Sequence, residues 1–164
     1  MKVLGVTGNE LFELDGKFEQ ASSVSGLKVV YAMSKNHNAI KSLSKELRAK
    51  ISKIREEKIP RFETWDNERL ETCKAFAKKD DKGEFVMISG NFQIDDMPAF
   101  EKKADELKVK YKDVMDALDK KDTDVKAILD DNYKLELHSV KMGDITDQGI
   151  TKAQMDVVLL FMEE

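Results

Sequence analysis

The two histidines and the single cysteine are the residues best suited to chemistry, and their spacing predicts no active site. His37 and His138 lie far apart in the sequence, and neither belongs to an HxxxH or ExxH pattern, the spacing that brings helical metal ligands together. Cys73 has no histidine near it to activate the thiol, and its helical spacing from Leu70 and Phe76 favours a buried apolar role. We therefore expect no metal, no cofactor and no catalytic residue.

Glycine loops and carboxylate pairs lead to the same expectation. The segment VTGNELFELDG contains two glycines, but it lacks the spacing of a phosphate-binding loop and no Lys-Ser/Thr pair follows it. Acidic residues four positions apart are expected by chance on helices as highly charged as these, so such pairs do not indicate acid–base catalysis. The sequence favours a protein that is not an enzyme.

Basic residues are concentrated between positions 41 and 61. This stretch contains eight basic and three acidic residues, a local balance of +5, whereas residues 95–131 contain twelve acidic residues and eight lysines, a balance of −4. Four of the basic residues fall on one predicted outer stripe that could follow a phosphate backbone: Lys41, Lys45, Arg48 and Arg55. Mutually compensating charged faces are the favoured interpretation, and contact with nucleic acid is the alternative.

Composition narrows the class of protein. The 164 residues suit one domain; 41% are hydrophobic, 37% are charged, and the net charge is only −4. This mixture favours long solvated helices and gives no general attraction to nucleic acid or anionic membranes. The longest apolar run, VVLLFM, is far short of the ~20 residues that span a bilayer, and the N-terminus lacks the apolar core of a signal peptide. We expect a soluble intracellular protein with no membrane partner.

Helical periodicity predicts two long arms. Residues 1–26 are expected to form an N-terminal strand/helix segment, with a capping box at Thr7 and Glu10 opening a helix over about 8–23. The first arm, 27–79, is predicted to be helical from Leu27 and to break at Pro60. Its apolar stripe consists of Ile40, Leu43, Leu47, Ile51 and Ile54.

The second arm is predicted over 97–131, with a break at 119–124. Its stripe keeps a heptad spacing and consists of Phe100, Ala104, Leu107, Tyr111, Val114 and Leu118. Neither arm can bury its stripe alone, so we expect the arms to pack against each other. The predicted fold class is mainly α (α+β): one elongated domain, 1–164, built on a long antiparallel helical hairpin.

An apolar segment, GEFVMISGNFQID, interrupts the charged sequence at 83–95. Two short β-prone pieces flank a turn-prone Ser-Gly centre, which predicts a small β-hairpin at the tip of the helical hairpin. A two-stranded hairpin is marginal alone in water, so it needs a partner: its own helices, a second copy or another protein. The predicted protein-interaction residues are Phe85, Met87, Ile88, Phe92 and Ile94.

The last segment, 133–164, is predicted to form a strand followed by a helix. Tyr133, Leu135 and Leu137 alternate with polar residues, which is typical of a half-buried strand. A capping box at Thr151 and Gln154 opens a helix that is expected to run from 152 to the end. Its expected core face is Met155, Val158, Leu159 and Met162. Further apolar residues off this face favour burial on several sides, and an exposed partner patch is the alternative.

The order of these features resembles a family of small proteins of unknown function encoded by bacteriophages and prophages. The segments that carry the resemblance cover most of the chain from Leu27 onward: YAMSKN, KDDKGE followed by SGNFQI, and LELHSVK before the capped terminal helix. The resemblance implies a viral protein with a helical hairpin and a small β element, acting in the cytoplasm of a bacterial host. It brings no catalytic motif, and it leaves incorporation into the virion open.

Two functions follow as hypotheses. The favoured one is a non-enzymatic interaction, assembly or adaptor module that uses the arms as a scaffold and the apolar tip to hold a phage protein, a host protein or a second copy. The alternative is a nucleic-acid-associated accessory protein that uses the basic stripe of residues 41–61.

Overall fold

The computed structural model describes residues 1–21, 26–145 and 150–163. Helices dominate it and the strands are short, which confirms a mainly α (α+β) fold. The chain divides into two compact units: Met1–Arg55 with Asp124–Glu164, called the first unit, and Glu56–Thr123, called the second unit. None of the helices within the described residues combines the length and the apolar character needed to cross a membrane.

The helices and strands follow one another in a simple order. They are β1 (Lys2–Thr7), α1 (Gly8–Gln20), α2 (Leu27–Glu56), α3 (Phe62–Phe76), β2 (Met87–Ile88), β3 (Asn91–Phe92), α4 (Met97–Lys110), α5 (Lys112–Asp130), β4 (Asn132–Leu137), β5 (Val140–Lys141), a 3-10 turn (Met142–Asp144), α6 (Lys152–Leu159) and β6 (Met162–Glu163).

A two-stranded antiparallel sheet lies in the first unit. The predicted strand at 133 is confirmed as β4, and its partner is β1 at the N-terminus, with Leu4 opposite Leu135. Alternation along β4 buries Leu135 and Leu137 and exposes Lys134 and Glu136, because successive side chains of a strand point to opposite faces. One face of this sheet therefore belongs to the core of the unit.

The predicted capping box at the start of α1 is confirmed. The Thr7 hydroxyl accepts a hydrogen bond from the Glu10 amide at 3.2 Å, and the Thr7 amide donates to the Glu10 carboxylate at 2.7 Å. The Thr7 amide and hydroxyl both donate to the Glu10 carboxylate and hold its pKa below the ordinary value. The helix then buries Leu11, Leu14 and Phe18. It ends at Gln20, and the last two residues of the predicted range, 22 and 23, lie outside the described residues.

Helix α2 begins at Leu27 and ends at Glu56, so the predicted helix and the predicted break near Pro60 are both confirmed. Its predicted stripe is buried at Ile40, Leu47 and Ile51. Ile40 and Leu47 belong to a cluster of buried residues from α1, β1, β4, β5 and α6. This cluster is the core of the first unit.

Asn36 is the one fully buried amide of α2. Its Nδ2 donates to the His138 carbonyl at 3.0 Å, and its Oδ1 accepts from the His138 amide at 2.7 Å. His138 lies between β4 and β5, where its backbone has left the β1–β4 ladder. A side-chain amide supplies the matching donor and acceptor, so Asn36 ties α2 to this connection.

A smaller core holds the second unit together. Leu107, Tyr111 and Val114 are buried, with Trp65 and Ile59 packed against them. Helices α3 and α4 run in opposite directions, since Phe76 contacts Phe100 at one end and Glu68 pairs with Lys110 further along. The stripes of the two predicted arms thus belong to two separate clusters, and the long hairpin of whole arms stays a prediction.

The predicted break at 119–124 is wrong. Helix α5 continues through these residues, and the interruption lies at Tyr111, between α4 and α5. The segment DKKDTD contains neither Gly nor Pro, and every residue in it tolerates a helix. The Thr123 hydroxyl donates to the Asp119 carbonyl at 2.8 Å, a local bond that the helix accommodates.

The C-terminal helix is shorter than predicted. Its capping box at Thr151 is confirmed, but α6 ends at Leu159 and the chain continues into β6, which pairs in parallel with β5. The predicted core face is right for Val158 and wrong for Leu159, which is exposed, whereas Val157 and Phe161 are buried. The turn after Leu159 directs Phe161 into the core, where it contacts Phe18.

Two glycines of α1 give a matched pair of substitutions. A Cβ at Gly8 would lie 2.7 Å from the Ile128 carbonyl oxygen and 3.0 Å from the Leu129 Cα, whereas a Cβ at Gly16 meets nothing within 4 Å. We expect Gly8→Ala to lower the free energy of unfolding by about 1–3 kcal/mol through overpacking. Gly16→Ala should raise it by about 0.5–1 kcal/mol, because alanine costs less backbone entropy in a helix. Urea unfolding measures both, and equal effects would contradict the close approach at Gly8.

The role of Asn36 is testable against its exposed neighbour Asn38. Asn36→Ala should destabilise the protein by about 2–4 kcal/mol, because it leaves two backbone groups of His138 without partners. Asn38→Ala should change stability by less than about 0.5 kcal/mol. Denaturant unfolding of the two variants side by side measures the difference, and similar values would show that the amide does not connect α2 to His138.

Candidate interaction surface

The predicted hairpin at 83–95 forms between β2 and β3 within the second unit. Met87 lies opposite Phe92 and Ile88 opposite Asn91, in antiparallel register. The two residues of the loop, Ser89 and Gly90, have φ values of 51° and 82°. Positive φ at both central residues is the requirement of the tight turn whose twist matches that of the strands, and Gly90 meets it without strain.

A third segment, residues 77–79, supports the open end of the hairpin. The Lys78 amide donates to the Gln93 carbonyl at 2.7 Å, and the Lys78 carbonyl accepts from the Val86 amide at 2.9 Å. Ala77 is bridged to Ile94 and Lys79 to Phe85. The last residues after α3 therefore hold both strands of the hairpin. The tip was expected to pack against its own helices, a second copy or another protein. Within the chain, its hydrogen-bonded partner is the 77–79 segment directly after α3.

The chain turns at KKDDKG, residues 78–83, just before the hairpin. The Gly83 amide donates to the Asp80 carbonyl at 2.9 Å, with φ of 82° at Gly83. The Asp80 carboxylate accepts from the Lys82 and Glu84 amides, each at 2.9 Å. This carboxylate fixes the direction in which the chain enters the hairpin.

The five predicted contact residues divide between two faces. Alternation along the strands places Ile88 on one face and the other four on the opposite face: Phe85, Met87, Phe92 and Ile94. The Phe85 and Phe92 rings are in edge contact, with centroids 5.3 Å apart, as expected for neighbours on one face. The tip therefore presents an aromatic pair on one side and an isoleucine on the other.

Exposure differs among these five residues. Phe85 is 39% exposed, Met87 48% and Ile88 58%, whereas Phe92 and Ile94 are half-buried. The first three side chains remain accessible at the tip, and the other two contribute to holding it together. The ammonium of Lys79 lies 5.2 Å from the centroid of the Phe85 ring, so the apolar cluster is bordered by charge.

Hydrogen bonds join the tip to α3, and α3 to the end of α4. The Asp95 amide donates to the Phe76 carbonyl at 2.9 Å, which joins the end of the hairpin to α3. Glu68 on α3 accepts hydrogen bonds from Lys110 at 2.7 Å and from the Tyr111 hydroxyl at 2.7 Å. Together they hold the pKa of Glu68 below its ordinary value. The core of this unit is thus closed without the apolar residues of the tip.

The basic stripe lies on exposed positions of α2, as predicted, and it makes contacts within the chain. Lys41 is 3.7 Å from the Glu19 carboxylate, and the Arg48 guanidinium lies 4.3 Å from the centroid of the Phe12 ring. Lys45 and Arg55 are exposed as well. The contacts of Lys41 and Arg48 are both made with α1, and nucleic-acid contact stays a hypothesis.

The three residues first considered for catalysis do not converge. His138 is placed by Asn36, with its ring 5.8 Å from that of Tyr31. His37 lies on α2 next to Asp15, 3.7 Å away. Cys73 is half-buried and lines a cavity of about 210 Å³ with Phe100 and Leu107, between α3 and α4. No nucleophile–base pair is formed by these three residues.

No family model, curated protein or solved structure matches this chain. Likeness to known proteins therefore assigns neither a family nor an activity, and the functional argument comes from the geometry of the chain itself.

The Ser89-Gly90 turn gives a test of the surface. Gly90→Ala should weaken the hairpin by about 1–2 kcal/mol, because an L-residue pays that cost in the left-handed region and a Cβ there meets nothing within 4 Å that would add to it. Ser89→Asn should strengthen the hairpin, since Asn tolerates positive φ better than Ser. Hydrogen exchange at the Gln93 amide, which donates to the Val86 carbonyl, measures both. Unchanged protection in Gly90→Ala would contradict the turn.

Proposed function

We propose that this protein is a non-enzymatic protein-interaction module, an assembly factor or adaptor, whose contact surface is the apolar tip. The observation that supports the proposal most is the exposure of Phe85 and Met87 on one face of the tip and of Ile88 on the other. The partner is a protein, either a different one or a second copy of this chain.

The exposed apolar side chains of the tip suit contact with a partner protein better than a purely structural role. Single exposed apolar residues are ordinary, but Phe85 and Met87 lie side by side on one face of the hairpin and Ile88 is exposed on the other. The tip is therefore apolar on both faces, although 37% of the chain is charged. The core around Tyr111 is complete without them. Phenylalanine and methionine are among the residues enriched at the centres of protein interfaces.

The support beneath the tip suits the same role. The turn, the 77–79 segment and the bond from Asp95 to Phe76 fix the backbone of the tip. A preorganised surface loses less conformational entropy when it binds. The predicted long hairpin of both arms would place this surface at the end of a scaffold, and the resemblance to phage-encoded proteins would place its work in the cytoplasm of a bacterial host.

Charge substitution at the tip tests the proposal. Met87→Asp and Ile88→Asp alter exposed side chains, so the helices should stay folded. Val109→Asp is the matched control, since Val109 is 79% exposed on α4, away from the hairpin. Tagged wild type and variants are purified from bacterial cells with and without nuclease. Copurifying proteins are identified by mass spectrometry, and self-association is measured by sedimentation.

We expect the tip variants to lose the wild-type association by at least about 30-fold, the loss typical of a central interface residue. The Val109 control should retain it. Circular dichroism verifies that each variant keeps its helix content. Association that survives in folded Met87→Asp and Ile88→Asp proteins would refute the tip as the contact. Recovery of nucleic acid alone, removed by nuclease, would favour the basic stripe instead.

A further inference from the structure

We propose that Asp15, Glu19 and His37 form a binding site for a divalent transition metal ion, with Zn²⁺ the best fit. Asp15 and Glu19 are four residues apart on α1 and so share one face of that helix, and His37 comes from α2. One ligand atom from each of the three residues lies within 4.8 Å of the other two. The site is independent of the tip and lies wholly within the first unit.

Two buried polar atoms lack the partners that burial normally requires. Asp15 Oδ1 and His37 Nε2 are both inaccessible to solvent and make no hydrogen bond within the described residues. They lie 3.7 Å apart, too far for a good hydrogen bond, which needs about 2.7–3.2 Å. Burying polar atoms without hydrogen-bond partners costs free energy. A third group bound between these two atoms would remove that cost.

A metal ion fits the gap. Zn²⁺ binds imidazole nitrogen and carboxylate oxygen at about 2.0–2.2 Å, and two ligands of a tetrahedral ion are then about 3.3–3.5 Å apart. The two atoms, now 3.7 Å apart, need to approach by roughly 0.2–0.4 Å to reach that geometry. At the present separation an ion bound to both would open the ligand angle to about 120–135°, a modest distortion for Zn²⁺.

The surroundings orient both ligands. The Ser44 hydroxyl donates to Asp15 Oδ2 at 3.0 Å, which leaves Oδ1 directed at His37. Ser44 is fully buried, and this bond gives its hydroxyl the partner that a buried polar group needs. The His37 ring stacks on Phe18, with centroids 5.9 Å apart and an interplanar angle of 28°. Metal sites characteristically hold their ligands through such supporting contacts.

Glu19 supplies the third ligand. Its side chain is exposed and now lies 3.7 Å from the Lys41 ammonium; an exposed ion pair contributes little, so exchanging it for a metal costs little. Water completes the coordination of a three-ligand site. The imidazole nitrogen favours zinc and its neighbours in the periodic table over Mg²⁺ and Ca²⁺, which prefer oxygen alone.

Two features of the sequence conceal this site. The site uses only His37, so the distance to His138 along the chain does not bear on it. Acidic residues four positions apart are chance pairs in most places on such charged helices, and only the fold shows that Asp15 and Glu19 face an imidazole. A simple Asp15–His37 ion pair that closes without metal is the competing account.

Zinc titration of the full chain distinguishes the two accounts. The background is Cys73→Ser, which removes the one thiol. Binding of Zn²⁺ is measured by isothermal titration calorimetry and by competition with a chromophoric chelator, and Mg²⁺ serves as the contrasting ion. The variants are His37→Ala and Glu19→Gln, and the matched control is His138→Ala. Glu19 is exposed, so its substitution tests the site without disturbing the core.

We expect one Zn²⁺ per chain in the background protein and in His138→Ala. His37→Ala should weaken binding by at least about 100-fold, since loss of a supporting contact alone costs 10–100-fold. Ser44→Ala should weaken it by about tenfold by releasing the Asp15 carboxylate. The His37 ring resonances should shift on addition of zinc. Absence of zinc binding at millimolar concentration would overturn the proposal, as would binding indifferent to His37→Ala and Glu19→Gln.

Discussion

The pair of hydrogen bonds between the buried Asn36 amide and the His138 backbone is the constraint on which the first unit depends. The β1–β4 sheet has only two strands, and such a sheet needs a covering layer to be stable. A buried amide satisfied on both sides fixes one position of α2 against the chain after β4, whereas apolar contacts alone would permit sliding. With Asn36 directed at His138, the next residue, His37, is turned by about 100° around the helix and meets α1 at Asp15.

The second unit separates the groups that stabilise it from those that it exposes. Tyr111 is buried, its hydroxyl donates to Glu68, and the Arg61 guanidinium lies 4.7 Å from the centroid of its ring. The backbone of the tip is held instead by hydrogen bonds to residues 77–79 and by the Ser89-Gly90 turn. Because the tip adds little to the core, its exposed residues can change without loss of the fold, as a contact surface requires.

Features with a local cause were predictable from the sequence. The capping boxes at Thr7 and Thr151, the break at Pro60, the alternation after Asn132 and the Ser-Gly turn each depend on residues within a few positions of one another. The early end of α6 was not predicted, because it depends on the pairing of the following residues with β5, which is distant in the sequence. The continuation of α5 through 119–124 has a local cause that the prediction misjudged, since this charged segment resembles a loop only in composition.

The candidate sites likewise combine features that follow from local sequence with features that depend on distant residues. The position and turn of the tip could be derived from 83–95 alone, but the difference between exposed Ile88 and half-buried Phe92 is seen only in the structure. The approach of Asp15 to His37 depends on the register of α1 against α2, which no local pattern specifies. Sequence periodicity therefore predicts the helices and strands, whereas the candidate sites depend on the contacts between them.

Site-specific photo-crosslinking tests the central claim most directly. A photoreactive phenylalanine analogue is placed at Ile88 on the tip or at Val109 on α4, both exposed, and cells are irradiated before purification. The account predicts a discrete covalent adduct, with a second copy or another protein, from position 88 and none from position 109. Equal adducts from both positions, or no protein adduct from position 88, would contradict the assignment of the tip as the contact surface.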